Sequence, residues 1–386
     1  MTLSEQARQL HAAAIENSGG LSDFGDLDGY TEGLEVLLDS LNTEAELTED
    51  GAEAVFGGVV GYLIARLVAP AGLKAVPGVG EIPITAPFFI TGLPRSGTTA
   101  SHRLLAADPR HQALEMWLGF SPQPRPPRET WPDNPAYSVF AERLNSGLQG
   151  TAEGRALHYL SAELPDECHH LTAQMFVGNS FPSLANVPSY VEWLGRNDYT
   201  AAMARHKLNL QLIGSTSPEK RWVLKNPGYL GALPGLFRVY PDAMVIVMHR
   251  DPVETIPSVC SVIQFYQGAT SPRQRGRALA DTQLQMLSAD TERFLAHREQ
   301  YADRIVDVLY RDYVADPIGT MRQVYERFGL AFDDRAEQAM RAEYELSISG
   351  DRAPRHRYAL ADFGLTREEV DERFAGYLAA FPGIRD

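Results

Sequence analysis

The stretch Ala86-Pro-Phe-Phe-Ile-Thr-Gly-Leu-Pro-Arg-Ser-Gly-Thr-Thr99, followed by Ala100, Leu104 and Leu105, decides the fold class. Ala86–Thr91 is a short apolar run of strand type, Gly92–Thr99 is a glycine-bearing loop, and the residues after it have helical spacing. Strand, glycine loop and helix in direct succession form an anion cradle. Glycine lets the backbone come close to a ligand, the loop N–H groups point inward, and the helix amino terminus adds partial positive charge.

Working outward, the chain alternates strand and helix. Arg221–Lys225 reads as a strand stopped by Pro227, Leu233–Tyr240 as a helix, Asp242–His249 as a fully buried strand, and Val253 onward as a helix. A helical segment from about residue 273 to 302 then leads into a fourth strand, Ile305–Tyr310. Such alternation predicts right-handed crossovers and an α/β fold with a parallel central sheet flanked by helices. Ser189–Ile213 reads as helical, and the proline-rich Ser121–Arg128 and Trp131–Pro135 as a surface loop. Upstream, Leu34, Leu37, Leu38 and Leu41 mark an acidic helical region, and Pro77, Gly78, Gly80 and Pro83 break the pattern. The expected organisation is a helical region over 1–80 and an α/β domain over 81–386.

Composition narrows the function. With 50 acidic against 35 basic side chains the formal charge is −15, so the mean field repels nucleic acid and acidic membranes, and an anionic ligand must meet a local basic pocket. A content of 44% hydrophobic and 22% charged residues excludes disordered and fibrous classes. The amino terminus has no signal pattern, and Cys168 and Cys260 are the only cysteines, so a cytoplasmic location is expected rather than a secreted disulfide scaffold. The apolar Ala54–Val76 is interrupted by Arg66, Pro70 and Lys74, which predicts a buried or substrate-side helix and no membrane span.

The loop differs instructively from the nucleoside-triphosphate pattern G-x-x-x-x-G-K-[ST]: Thr99 fills the hydroxyl position, but Thr98 stands where the lysine belongs. That lysine normally holds the β and γ phosphates. Arg95, inside the loop, supplies the charge instead. A second anion site is expected where the buried strand ends in His249-Arg250-Asp251-Pro252, with Ser258 eight residues after Arg250. Ligands of parallel sheets lie beyond the carboxyl ends of the strands, so both motifs open onto one edge. A local Arg250–Asp251 salt bridge is the plainer alternative.

These residues resemble the sulfotransferases that use 3′-phosphoadenosine 5′-phosphosulfate, in particular a bacterial branch with a G-L-P-R-S-G-T-T loop. Gly92–Thr99 is similar to the family's 5′-phosphosulfate loop, and His249-Arg-Asp-Pro-Val-Glu-Thr-Ile-Pro-Ser258 to its 3′-phosphate motif. Arg221–Pro227, Leu164–Cys168, Tyr310–Pro317 and His356–Gly364 add supporting matches. The resemblance implies a P-loop-like three-layer α/β/α fold and sulfuryl transfer to a hydroxyl or amine of a small-molecule, lipid or sugar acceptor. It further implies a donor held by Arg95, Ser96, Gly97, Thr98, Thr99, Arg250 and Ser258, and no metal. Family members often carry a histidine a few residues after the lysine matching Lys225, whereas this chain reads Lys225-Asn-Pro-Gly-Tyr-Leu230.

In-line transfer needs cations at the departing bisphosphate, here Arg95 and Lys225, and a base for the acceptor. The base candidates are His158 and Glu167 first, then His170, His206 and Glu115, while Pro165-Asp-Glu167 also fits an ordinary helix start. Arg355 and Arg357, within a basic run, are expected to cover the nucleotide as in related proteins. Cys168-His169-His170 is not a metal site by spacing, because neighbouring side chains on a helix diverge. Trp117, Phe120, Trp131, Tyr190 and Trp193 line an apolar acceptor pocket or fill the core. The rival readings are a P-loop kinase or NTPase and a non-catalytic nucleotide-binding protein; a homo-oligomer stays open.

Overall fold

Five parallel strands carry the architecture: β1 (Phe88–Gly92), β2 (His111–Ala113), β3 (Arg221–Lys225), β4 (Met244–His249) and β5 (Ile305–Leu309), in the order β2-β3-β1-β4-β5. The computed structural model describes residues 3–25, 29–157, 159–271, 275–349 and 358–385. All residues of β1 and β4 are buried, as expected of strands covered on both faces. Alternation along β1 sends Phe88 and Ile90 to one apolar cluster, with Leu104, Val324 and Met340, and Phe89 to the other, with Leu210, Tyr229 and Phe294. The sheet is therefore the middle of three layers.

Register fixes what meets at the carboxyl edge. Ile90 pairs with Lys225 of β3, and Gly92 pairs with Met248 of β4. The loop after β1 consequently emerges between Lys225 on one side and His249–Arg250 on the other.

The amino-terminal helices α1 (Glu5–Asn17), α2 (Thr31–Thr43) and α3 (Glu49–Ala75) join the larger of the two clusters. Thr48 caps α3 by accepting from the Gly51 N–H, and α3 buries Val55, Val59, Tyr62, Leu63 and Leu67. By length and composition α3 could cross a membrane, yet 50% of its most apolar window is buried inside the protein.

The structure departs from sequence expectation at three places. A fifth strand, β2, adds to the four expected. The Ser189–Ile213 stretch is two helices, Pro188–Arg196 and Thr200–Ile213, parted by a turn in which Tyr199 adopts φ 61°. Within the proline-rich region Arg128–Asp133 winds into a 3-10 helix, and Pro135 opens the helix Pro135–Ser146, capped by the Asn134 side chain.

Candidate active site

The loop Gly92–Thr99 leads into α4 (Thr98–Ala107). Gly92 has φ 136°, and a Cβ there would lie 2.2 Å from the Met248 carbonyl oxygen, so the β1–β4 contact itself demands glycine. Gly97, at φ 92°, precedes α4 without a side-chain cap, which leaves the first helical N–H groups available to an anion. Ser96 is buried and its hydroxyl donates to Leu93 O at 2.6 Å, so it braces the loop from within. Thr98 is buried at the first turn and Thr99 is half-buried beside it.

Arg95 and the end of β4 meet directly. Arg95 takes a left-handed φ of 69°, its Nε donates to Ser258 Oγ at 3.1 Å, and its carbonyl accepts from an Arg250 terminal nitrogen at 2.9 Å. Burial lowers the affinity of the Arg95 guanidinium for its proton, Tyr358 opposes that, and the nearby Arg250 charge adds to it. Among the described residues no carboxylate pairs with Arg95. Arg250 bonds Glu254 at 2.8 Å and lies over the Tyr310 ring at 4.2 Å. The alternative Arg250–Asp251 bridge is not formed: Asp251 instead accepts from Val253 N–H, as helix cap, and from Arg385.

On the other flank Lys225 is wholly buried, and its Nζ lies 2.8 Å from Glu167 Oε1 and 4.0 Å from Asp166. Glu167 Oε2 in turn lies 3.0 Å from His169 Nδ1. Burial pushes the Glu167 carboxyl up, but Lys225 and His169 outweigh it and hold it well below the usual carboxylate range. The two segments are joined through backbone, since Cys168 N–H donates to Lys225 O at 3.0 Å. Asn226 N–H donates to Ile90 O at 3.1 Å and Thr91 Oγ1 to Pro227 O at 3.0 Å, which ties the turn after β3 to the end of β1.

The sulfotransferase family profile matches residues 87–334, a span that holds the loop, Glu167, Lys225 and the Arg250–Ser258 motif. The chain belongs to the sulfotransferase family. Its relatives include the omega-hydroxy-beta-dihydromenaquinone-9 sulfotransferases Stf3 of Mycobacterium bovis and Mycobacterium tuberculosis, each 24% identical over 257 residues. The match covers 63% of this chain and 63% of those proteins. Among solved structures, sulfotransferase STF1 from Mycobacterium tuberculosis H37Rv is 44% identical with a TM-score of 0.87, over 96% of this chain and 98% of that one. Sulfotransferase STF9 from Mycobacterium avium is 28% identical with a TM-score of 0.87, over 97% and 96%.

The remaining candidates separate by environment. His206 is buried with Nδ1 2.7 Å from Tyr240 OH, and Glu115 is 3.0 Å from Arg125, so both serve the scaffold. His170 is buried 3.1 Å from Tyr62 OH, and its ring is tilted 40° against that of Phe120 with centroids 4.1 Å apart. Burial, reinforced by the neighbouring His169, lowers its basicity well below that of a free imidazole. Cys168, His169 and His170 turn respectively to Lys225 O and Tyr229, to Glu167, and to Tyr62, and among the described residues no group of three metal-ligating side chains converges. Trp117, Trp131 and Tyr190 are core, whereas Phe120 is half-buried beside His170. His158, Arg355 and Arg357 lie outside the described residues. Two groups that sequence reasoning did not put forward border this cluster: His169, two residues from Glu167, and Tyr266, whose ionisation is suppressed first by burial and then by Asp166 and Glu167, with Arg95 opposing; only the fold brings them beside Lys225 and Arg95.

Proposed function

We propose that this protein transfers the sulfuryl group of 3′-phosphoadenosine 5′-phosphosulfate to a hydroxyl carried on an apolar acceptor, by in-line displacement. The observation that carries the reading is Arg95: a half-buried guanidinium, bonded to Ser258, with no carboxylate partner among the described residues. A cation partly withdrawn from water without a counter-ion favours a bound anion. In this reading the loop N–H groups, Thr98 and Thr99 hold the 5′-phosphosulfate, and Arg250 with Ser258 holds the 3′-phosphate. Arg95 and Lys225 stabilise charge growing on the bridging oxygen as the sulfur–oxygen bond breaks.

The acceptor side is the one beyond Glu167. Tyr62 of α3, Phe120, Phe140 and His170 form a connected aromatic group there, with Phe120–Phe140 centroids 5.0 Å apart. That lining favours an apolar body over a sugar. The relative Stf3 is named for a hydroxylated dihydromenaquinone, which supports the same class.

The test is titration calorimetry of adenosine 3′,5′-bisphosphate against ATP with magnesium, on the intact protein and on Arg250→Ala. Magnesium-independent binding of the bisphosphate, weakened at least about tenfold in the variant, is expected from loss of a charge-assisted contact. Binding of ATP with magnesium in preference to the bisphosphate would return the loop to a kinase-like role.

A further inference from the structure

The proposed transfer requires a group that removes the acceptor's proton, and the stretch after Lys225 offers none, since it reads Asn226-Pro-Gly-Tyr-Leu230. The fold supplies an imidazole from elsewhere. The Cys168 N–H bond to Lys225 O clamps residues 164–170 against the end of β3 and delivers His169 beside the lysine. Lys225, Glu167 and His169 then form one line: Nζ to Oε1 at 2.8 Å, and Oε2 to Nδ1 at 3.0 Å.

We infer that His169 is the catalytic base of sulfuryl transfer and that Glu167 is its positioning residue, an assignment that rests on the donor reading above. An imidazole that donates Nδ1–H to a carboxylate carries its lone pair on Nε2, the arrangement by which an acidic partner fixes a histidine's tautomer and stabilises its cation. His169 Nε2 has no hydrogen-bond partner among the described residues. The His169 side chain keeps 16% of its surface exposed while Lys225 has none, so the ring and not the ammonium faces an incoming acceptor. The His170 ring supports it at 4.0 Å between centroids.

The step balances as follows. The acceptor O–H proton passes to His169 Nε2 as the acceptor oxygen forms its bond to sulfur. The bond from sulfur to the 5′-phosphate oxygen breaks, and its electron pair leaves on the bisphosphate beside Lys225 and Arg95. Glu167, with both oxygens engaged, stays ionised and faces the imidazolium throughout. Among the described residues the other titratable groups around this centre are Lys225, Asp166, Cys168, His170, Tyr266 and His102.

The experiment uses the full chain, His169→Ala and Glu167→Gln. Bisphosphate titration comes first: unchanged affinity in His169→Ala is expected, and failure of the wild type to bind sinks the donor reading rather than the base assignment. Transfer from the phosphosulfate is then followed with 1-octanol and 4-nitrophenol as acceptors, alongside release of bisphosphate to water. 4-Nitrophenol ionises unaided near neutral pH and needs little help, so His169→Ala should lose about 10²–10⁴-fold with octanol and water but far less with 4-nitrophenol, and added imidazole should restore part of the loss. The low-pH limb of the wild-type rate profile should vanish in the variant. Equal losses on all acceptors with no imidazole rescue would make His169 merely structural. Ring-nitrogen NMR gives a readout independent of turnover: the Nδ1–H tautomer is expected in the wild type and diminished in Glu167→Gln, whereas an Nε2–H tautomer would overturn the assignment.

Discussion

A lysine ammonium wholly removed from solvent at the end of β3 persists only where a carboxylate meets it, and Glu167 does so at 2.8 Å. Removing one partner of such a pair leaves an uncompensated charge. Lys225→Met should therefore destabilise the fold by about 3–5 kcal/mol in urea unfolding, and Lys225→Met with Glu167→Leu should recover most of that loss without recovering transfer. The pH dependence follows with a definite sign. Burial raises the Glu167 carboxyl and Lys225 with His169 lowers it further, so its folded value lies below the unfolded value of about 4.3. The pair's contribution is then complete above the unfolded value and is lost as pH falls through the folded one. Calorimetric melting should show a wild-type advantage over Glu167→Gln that is flat from about pH 7 to 5 and shrinks below about pH 4; an advantage that shrinks on going alkaline instead would rule this linkage out.

At the scale of elements, the turn that presents Arg250 is held by the carboxyl-terminal segment. His249 stacks on Phe381 at 3.9 Å and lies 2.9 Å from Tyr377 OH and 2.8 Å from Asp307. Arg385 forks onto Asp251 with bonds of 2.9 and 3.0 Å and also grips Asp371. Asp251 caps the helix Pro252–Thr270, which carries Ser258, so Arg385 orients both residues proposed to hold the 3′-phosphate, Arg250 and Ser258. Arg385→Ala should weaken bisphosphate binding by about three- to tenfold in calorimetry while costing about 1–3 kcal/mol of stability, the worth of hydrogen bonds to charged groups. No change in affinity would show that the turn holds itself. This clasp was invisible in the sequence because 134 residues separate Arg385 from Asp251. The β1–loop–α4 unit was legible because every signal in it is local, as was the buried run of β4. The strand β2 was not: it has three residues, two of them His111 and Gln112, and exists only by pairing with β3 more than a hundred residues away. The break near Tyr199 did have a local signal, since Asn197 and Asp198 accept from the backbone N–H of Tyr199 and Thr200 as turn residues do. The Lys225–Glu167–His169 line had none, because it depends on a backbone bond between segments 57 residues apart.

At the scale of the whole molecule a formal charge of −15 surrounds the proposed donor pocket, where Arg95 and Arg250 meet at the carboxyl edge of the sheet. The two fields act at different ranges. At about 0.01 M salt the screening length is about 30 Å, so the distributed carboxylates repel a nucleotide bisphosphate before the pocket attracts it; at about 0.15 M it is about 8 Å, and mainly the nearby cations are felt. Contacts made at bonding distance inside the pocket are screened much less. The association rate constant for adenosine 3′,5′-bisphosphate should accordingly rise between these two salt concentrations and fall beyond them, while the dissociation rate climbs slowly throughout. Stopped-flow binding across a salt series tests this, with Arg250→Ala expected to change dissociation more than association, as truncating a half-buried contact does. A steady fall of the association rate from the lowest salt upward would mean that the pocket's field reaches past the carboxylates, and that the acidic surface has no part in admitting the donor.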